Sequence, residues 1–239
     1  MKRIRIIGLA LLALAAVSAT AASSASAICP LLELGYCVNG VPLLAGSTKE
    51  VTASAKTPFV LKGELLGLKS VTTCQKLKLN AAQKPTINGG MPGTGAKQKT
   101  EFEECTATLG GAACAGVVVG SALSNTTQTM VALPAGLKGR LATLFTPSSG
   151  SVFTSIKLTN CGGFSTTAEV TGTTAALNNP ERTEGLDGEL IWNEPQEITE
   201  VELSGGTKEA IGLKFGGKPA GLLGTALILL VSKEKWGVF

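Results

Sequence analysis

Apolar positions in this chain recur every second residue more often than every third or fourth, and they do so in short runs. In Leu77-Lys78-Leu79 the leucines share a face, with Lys76 and Lys78 on the other. Val152, Ile156 and Leu158 align, Val201 and Leu203 oppose Glu200 and Glu202, and Ile211, Leu213 and Phe215 align. No window of about 15 residues sustains the i, i+3, i+4, i+7 spacing of a long amphipathic helix. Turn signals separate the runs: Asn88 to Gly93, Gly110-Gly111, Leu133 to Gly136, Pro147 to Gly150, Asn178-Asn179-Pro180 and Gly216 to Pro219. Each offers a residue comfortable at positive φ or a proline that fixes φ. Short strands punctuated in this way predict an all-β fold, an antiparallel sandwich or barrel whose edges need protection.

The apolar run Ala220 to Val231 is broken only by glycines and Thr225. It is too short to span a bilayer as a helix, which takes about 20 residues. It reads as a strand buried on both faces. The polar run Asn178 to Gly185, "NNPERTEG", marks where the chain would divide if it formed two units. One extended β domain over residues 28–239 is the expectation, since sandwiches and barrels fill that length as a single domain.

The N-terminus changes the picture. Lys2, Arg3 and Arg5 precede an apolar run from Ile6 to Val17, and small residues follow up to Ala25-Ser26-Ala27. This is the three-part pattern of a secretory signal peptide over residues 1–27, cleaved near Ala27. Cys29 lies close to the cut, but Ile28 before it is bulkier than the small residue lipoprotein processing requires. Cleavage leaves 212 of the 239 residues, with 18 basic and 17 acidic side chains. A surface so nearly neutral, without an arginine cluster, lacks the counterion-release term that nucleic-acid binding draws on. The expected partner is an unidentified envelope protein or glycan, with no nucleic acid and no membrane span in the mature chain.

Cys29, Cys37, Cys74, Cys105, Cys114 and Cys161 all fall after the signal segment, and an even count in an exported chain predicts disulfides. Their spacing contains no CxxC pair and matches no zinc ribbon. Proximity favours Cys29 with Cys37 and Cys105 with Cys114, leaving Cys74 with Cys161. In that reading "EFEECTATLGGAACAG" is a hairpin turned at Gly110-Gly111 and clipped by its own two cysteines.

With the cysteines placed, "VTTC" ending at Cys74, "FEEC" ending at Cys105, Cys114, and "LFTPSSGSVF" leading to Cys161 and "AEVTGTTAAL" resemble secreted, cysteine-containing β-rich proteins of actinobacteria with no assigned activity. The resemblance covers about Val71 to Leu177. It implies export and a disulfide-supported β fold, and it carries over no catalytic residue.

Composition excludes much chemistry. The chain has no histidine, and Asp187 is its sole aspartate. Ser-His-Asp and Cys-His arrangements, His-containing zinc sites and Asp-rich calcium loops cannot be built from it. "GGMPGTGAK", Gly89 to Lys97, has phosphate-loop glycine spacing, but its lysine comes one residue late and no Ser or Thr follows directly, so it reads as a loop. Glu101 and Glu103 would share a strand face opposite Phe102, with Glu104 beside them. Paired carboxylates are the minimum for glycoside hydrolysis, but nothing nearby suggests an apolar pocket to raise one pKa. Glu197, Glu200 and Glu202 read the same way. Aromatic residues are scarce, seven Phe with Tyr36, Trp192 and Trp236. Trp192 reads as covering one end of a core, with a sugar-binding rim as the alternative. Asn125-Thr126-Thr127 fits a glycosylation triplet and predicts an exposed loop.

The reading is therefore an exported structural or interaction protein, non-catalytic, with no cofactor, metal or catalytic residue assigned. The alternatives are a secreted polysaccharide hydrolase using paired glutamates and a β-barrel that carries an apolar ligand. The three separate on geometry: facing carboxylates in a cleft, an enclosed apolar cavity, or a filled core under a flat polar surface.

Overall fold

The computed structural model describes Cys29, residues 34–193 and residues 198–239. The expected signal segment, its cleavage point and Glu197 lie outside the described residues. Strand β1 (Tyr36–Val38) and β2 (Val41–Pro42) open the chain, followed by β3 (Thr48–Leu65), β4 (Leu68–Leu79), β5 (Thr86–Asn88) and β6 (Thr94–Leu109). Then come β7 (Ala112–Val119), β8 (Ala122–Leu133), β9 (Leu141–Pro147), β10 (Val152–Cys161) and β11 (Phe164–Asn179). The remainder is β12 (Asp187–Trp192), β13 (Glu200–Glu202), β14 (Lys208–Ala210), β15 (Gly212–Phe215), β16 (Lys218–Leu230) and β17 (Trp236–Val238).

The antiparallel ladder closes on itself twice. One circuit runs β6, β4, β3, β16, β12, β11, β9, β8 and back to β6; the other runs β6, β4, β3, β16, β15, β11, β10, β7 and back to β6. Five long strands, β3, β4, β6, β11 and β16, belong to both. The fold is one elongated barrel of eight strands at either end, and three wall strands are exchanged at its waist. Closure removes the sheet edges that an open β protein must guard. An eight-strand circuit leaves an interior that side chains fill or that holds one small ligand.

Four two-residue turns close the upper end: Leu66-Gly67, Gly110-Gly111, Gly162-Gly163 and Gly216-Gly217. All eight residues have positive φ, for example 59° at Gly110 and 86° at Gly111, as the type I′ turn requires. The tips touch one another, since a side chain on Gly110 would meet Leu68 at 3.3 Å and one on Gly216 would meet Leu65 at 2.6 Å. The lower end is plugged by a three-stranded sheet in which β1 pairs with β17 and β2. Leu34, Tyr36, Val38, Trp236 and Val238 of this plug join the lower core with Leu141, Ala176 and Ile228. The upper core gathers Leu109, Phe153, Ile156, Leu158, Val170 and Phe215. Burying Leu158 or Phe215, both 1% exposed or less, contributes about 1.5–3 kcal/mol each. A third cluster lies outside the wall, where Ile198 and Val201 cover Val131, Ala142, Leu144, Ala175 and Leu177. That cover explains why β9 and the end of β11 are buried on both faces.

Several sequence expectations need correction. Ile211 packs with the outer cluster and not beside Leu213 and Phe215 in the upper core, and the run after Ala220 is buried on one face, at Gly224, Ala226, Ile228 and Leu230, and only half-buried on the other. Val152 does not share a face with Ile156 and Leu158: a bulge shifts the β10–β11 register between Val152 and Thr154, so Phe153 turns inward and Val152 is exposed. Asn125 is exposed, but on β8 rather than in a loop. Cys105 is not bonded to Cys114, nor Cys74 to Cys161. The bridges are Cys29–Cys37, Cys74–Cys105 and Cys114–Cys161, of which only the first is the expected pair. A Cys105–Cys114 clip needs a turn centred between Leu109 and Gly110. The glycine pair centres it one residue later, so Leu109 opposes Ala112 and Thr108 opposes Ala113, which puts the two cysteines out of register. Each cysteine instead faces a direct partner on its other flank, with Cα atoms 4.0 Å apart for Cys74–Cys105 and 3.9 Å for Cys114–Cys161.

The apolar C-terminal run is β16, which lies between β3 and β12 at mid-sheet. The "NNPERTEG" stretch is the β11–β12 connection. Arg140 donates from Nε to Glu181 at 2.5 Å, and Gly40 N–H donates to both Glu184 oxygens at 2.8 Å. The strands after it, β12 and β16, stand between β3 and β11 in the same circuit. The glycines of "GGMPGTGAK" allow close approach, since a Cβ on Gly89 would lie 2.2 Å from the Leu43 carbonyl oxygen and one on Gly93 would lie 2.6 Å from the Tyr36 ring.

Non-reducing tryptic digestion separates the two connectivities. Peptide 100–138 carries both Cys105 and Cys114, so the structure requires it to be linked to 70–76 and 158–182 in one three-peptide species. A 70–76 peptide linked to 158–182 alone would overturn this pairing. Replacing Cys114 and Cys161 together by alanine, which opens a loop of 47 residues, should cost about 3–4 kcal/mol in urea unfolding.

Candidate functional site

A cavity of about 120 Å³ occupies the waist of the barrel, between the upper and lower cores. Its walls are almost wholly apolar. Five of the chain's ten aromatic residues line it: Phe59 of β3, Phe102 of β6, Phe145 of β9, Phe153 of β10 and Trp192 of β12. Trp192 stacks edge-on to Phe59 at 5.4 Å and tilts against Phe145 at 5.2 Å, and Phe59 meets Phe102 at 5.9 Å. These separations suit favourable edge-to-face contact.

Local sequence places the central ring of this group. Thr57 pairs with Thr225 and Val60 with Leu223, so Pro58 and Phe59 together oppose Gly224. This is a bulge, and proline suits it because it has no N–H to offer the ladder. Gly224 leaves the space that the Phe59 ring takes, since a Cβ there would sit 2.7 Å from that ring. An inward ring on β3 thus depends on a missing side chain on β16.

Two residues of the lining carry a buried polar atom without a hydrogen-bond partner, Oγ1 of Thr72 and Nε1 of Trp192, and Trp192 borders the cavity below as well. The smaller cavity below, about 70 Å³, carries a bonded polar network, although Nε1 of Trp236 in its lining has no partner. There Gln128 Nε2 donates to the Tyr36 hydroxyl at 2.6 Å and to Thr143 Oγ1 at 3.0 Å. Thr143 Oγ1 donates to Asn178 Oδ1 at 2.9 Å, and Asn178 Nδ2 donates to Gln128 Oε1 at 3.1 Å. A network in which each member is satisfied fixes its side chains. Burial pushes the Tyr36 hydroxyl up to about 12, against a smaller opposing effect of the Gln128 hydrogen bond.

The barrel wall is unzipped beside the upper cavity. Strand β6 pairs with β8 from Thr94 to Thr100 and with β7 only at Thr108 and Leu109. Between them Glu101 to Ala107 is laddered to β4, and among the described residues no strand pairs with its other side. The partly exposed lining residues Thr100, Phe102, Val119, Ala122 and Thr154 border this stretch. Cys74–Cys105 ties one lip outward to β4, and Cys114–Cys161 ties the other outward to β10. A Cys105–Cys114 clip would have drawn the lips together.

The glutamates singled out from the sequence sit on the water side of that lip. Glu101 and Glu103 do share a face, with Phe102 opposite, and both reach Lys78; Glu104 pairs with Lys76. Lys78, through its hydrogen bond, holds the Glu103 carboxyl below the usual range, and Glu104 and Glu103 raise Lys76 and Lys78 respectively. A carboxylate lowered by lysine and open to water is the opposite of a general acid. Glu200 lies 3.6 Å from Lys208 on the outer flap. Trp192 is 8% exposed and central, so it presents no rim to a sugar. Cys29, Cys37 and Glu184 cluster within 4.8 Å, but the sulfurs are bonded to each other and Glu184 accepts the Gly40 N–H.

The cavity is the part that sequence reading missed. Its rings come from five strands across more than half the chain, and their only local trace is inward parity, as at Phe102 between Glu101 and Glu103.

Tyr36 is the chain's sole tyrosine, so its ionisation can be followed cleanly by tyrosinate absorbance. The native protein should titrate near pH 12, not near the ordinary 10.0. An unfolded chain ionises Tyr36 first as pH rises, so the stability it contributes is present below pH 10 and is lost between about 10 and 12. A native midpoint near 10 would put Tyr36 in water.

Compared with known proteins, the chain matches no family model, no curated relative and no solved structure.

Proposed function

We propose that this is an exported, non-catalytic barrel that shelters a small apolar molecule. The observation that carries the reading is the apolar cavity at the waist of the β-circuit, open on the side where β6 and β7 part. Facing carboxylates would have favoured a hydrolase, and the glutamates instead face water on lysine partners. Three disulfides fit an oxidising compartment, and cleavage of residues 1–27 delivers the chain there. No helix of the described residues is long and apolar enough to cross a membrane. The outward positions of β3 and β4, among them Thr52, Lys56, Lys76 and Lys78, are exposed and polar. The unzipped stretch of β6 provides a way in.

Toluene present at ten times its dissociation constant should raise the melting temperature by about 3–5 °C. Leu213→Phe, which adds volume at the cavity wall, should remove the shift. No shift, or one that survives Leu213→Phe, would count against the reading.

One observation favours the envelope interaction protein instead. The upper tips expose Leu66 at 72%, Phe164 at 62% and Leu68 at 41%, apolar groups gathered at one end. If that end is the working surface, a pull-down from native envelope should retain a protein or glycan and lose it with Leu66→Ser/Phe164→Ser.

A further inference from the structure

The waist cavity is apolar within and opens to water on one side. Where β6 and β7 part, the lining residues Thr100, Phe102, Val119, Ala122 and Thr154 are partly exposed, while others of the lining, among them Phe59, Val170 and Leu213, are buried. Outside the opening the surface turns from apolar to charged within a residue or two. Val118, next to the lining residue Val119, is exposed and stands opposite Lys157 of β10. Leu123, next to the lining residue Ala122, is exposed and stands opposite Lys99 of β6. On the other lip, Glu103 beside Phe102 is paired with Lys78. None of the lining residues is charged, so a charged group drawn inside would lose its hydration without gaining a counter-charge, whereas at the opening it would keep its water. An apolar cavity of about 150 Å³ admits benzene. The waist, about 120 Å³, therefore holds a body of about six carbon atoms, and a longer molecule must project through the opening.

We propose that the cavity takes single-chain amphiphiles tail first: an unbranched apolar tail fills the waist, and a polar head, charged or uncharged, stays hydrated where β6 and β7 part. The proposal rests on the ligand-sheltering reading and adds to it the chemical class of the ligand and its orientation. The rim suits such a molecule, because Val118 and Leu123 offer apolar surface to the methylenes that the waist cannot hold, and side chains of both charges lie beside them. The two lips are tied outward by Cys74–Cys105 and Cys114–Cys161, so the opening is held in place without a ligand. A molecule with polar groups at both ends, or all round, would have to leave one of them unpaired among the phenylalanines.

Hexanol, hexanoate and the hexane diol with a hydroxyl at each end share one unbranched chain and differ at its termini. In calorimetric titration of the mature protein at neutral pH, hexanol and hexanoate should bind within about 5-fold of each other, and the diol at least about 10-fold more weakly than hexanol. From butanoate to hexanoate the affinity should rise about 3- to 4-fold per methylene. Hexanoate labelled with ¹³C at the carboxyl should titrate, when bound, close to the free acid. In protein with ¹³C-labelled Val and Leu methyls, the ligand's terminal methyl should show nuclear Overhauser contacts to Leu213 and its α-methylene to Val118 or Leu123. Rejection of hexanoate while toluene still binds, a bound carboxyl that titrates well above the free acid, a diol that binds as well as the alcohol, or the reverse set of contacts would each overturn the proposal and leave the ligand-sheltering reading standing. Failure of toluene and hexanol alike would overturn both.

Discussion

A β-strand satisfies its backbone only through its neighbours, and here the requirement is met by bringing β6, already paired with β4, back into contact with β7 and β8 from the far side. Everything else in the molecule follows from that closure. It creates an inside, so alternate residues on β3, β4, β6, β11 and β16 face a common core although they are distant in sequence. It also limits what the inside can be, because eight strands enclose room for side chains and little more. The waist is where the wall strands exchange, β15 for β12, β10 for β9 and β7 for β8. Neither core fully occupies the space there, and the cavity lies in that space.

The disulfides are best understood against this wall. Neither Cys74–Cys105 nor Cys114–Cys161 crosses the barrel or joins its two halves. Each reinforces a pairing that the ladder already makes, on the two sides of the one stretch where β6 and β7 have parted. The exposed ion pairs of Lys76 and Lys78 with Glu103 and Glu104 lie along the same lip. Such pairs contribute little to stability in water, but they hold β6 to β4 on the side away from the gap. Covalent and ionic ties thus accumulate beside the weakest part of the hydrogen-bonded circuit.

Much of the architecture was legible in the residues because it is written locally. Alternation marked β4, β10, β13 and β15, Gly110-Gly111 and Gly216-Gly217 marked tight turns, and the continuous run after Ala220 marked a strand, although only one of its faces is buried. What could not be read depends on register. A single bulge exchanges Val152 for Phe153 at the core, and one residue in the centring of a turn separates Cys105 from Cys114. Both are invisible to a pattern of period two, which is unchanged by a shift of two and inverted by a shift of one. The cavity was out of reach for a related reason: it is the gap left by rings on five strands whose mutual placement exists only after closure. Trp192 illustrates the limit, since its scarcity suggested a capping or rim role and the fold puts it at the centre.

The plug joins residues from opposite ends of the described chain. Gly35 N–H donates to the Phe239 carbonyl at 3.0 Å and Phe239 N–H donates back to Gly35 at 3.1 Å, with β1 and β17 laddered between. A chain synthesised from its N-terminus cannot make this contact until β17 has emerged. Long-range pairings of this kind are slow to form, because the loop they close must be ordered before they repay it. The base of the barrel is therefore sealed last, by the strand made last.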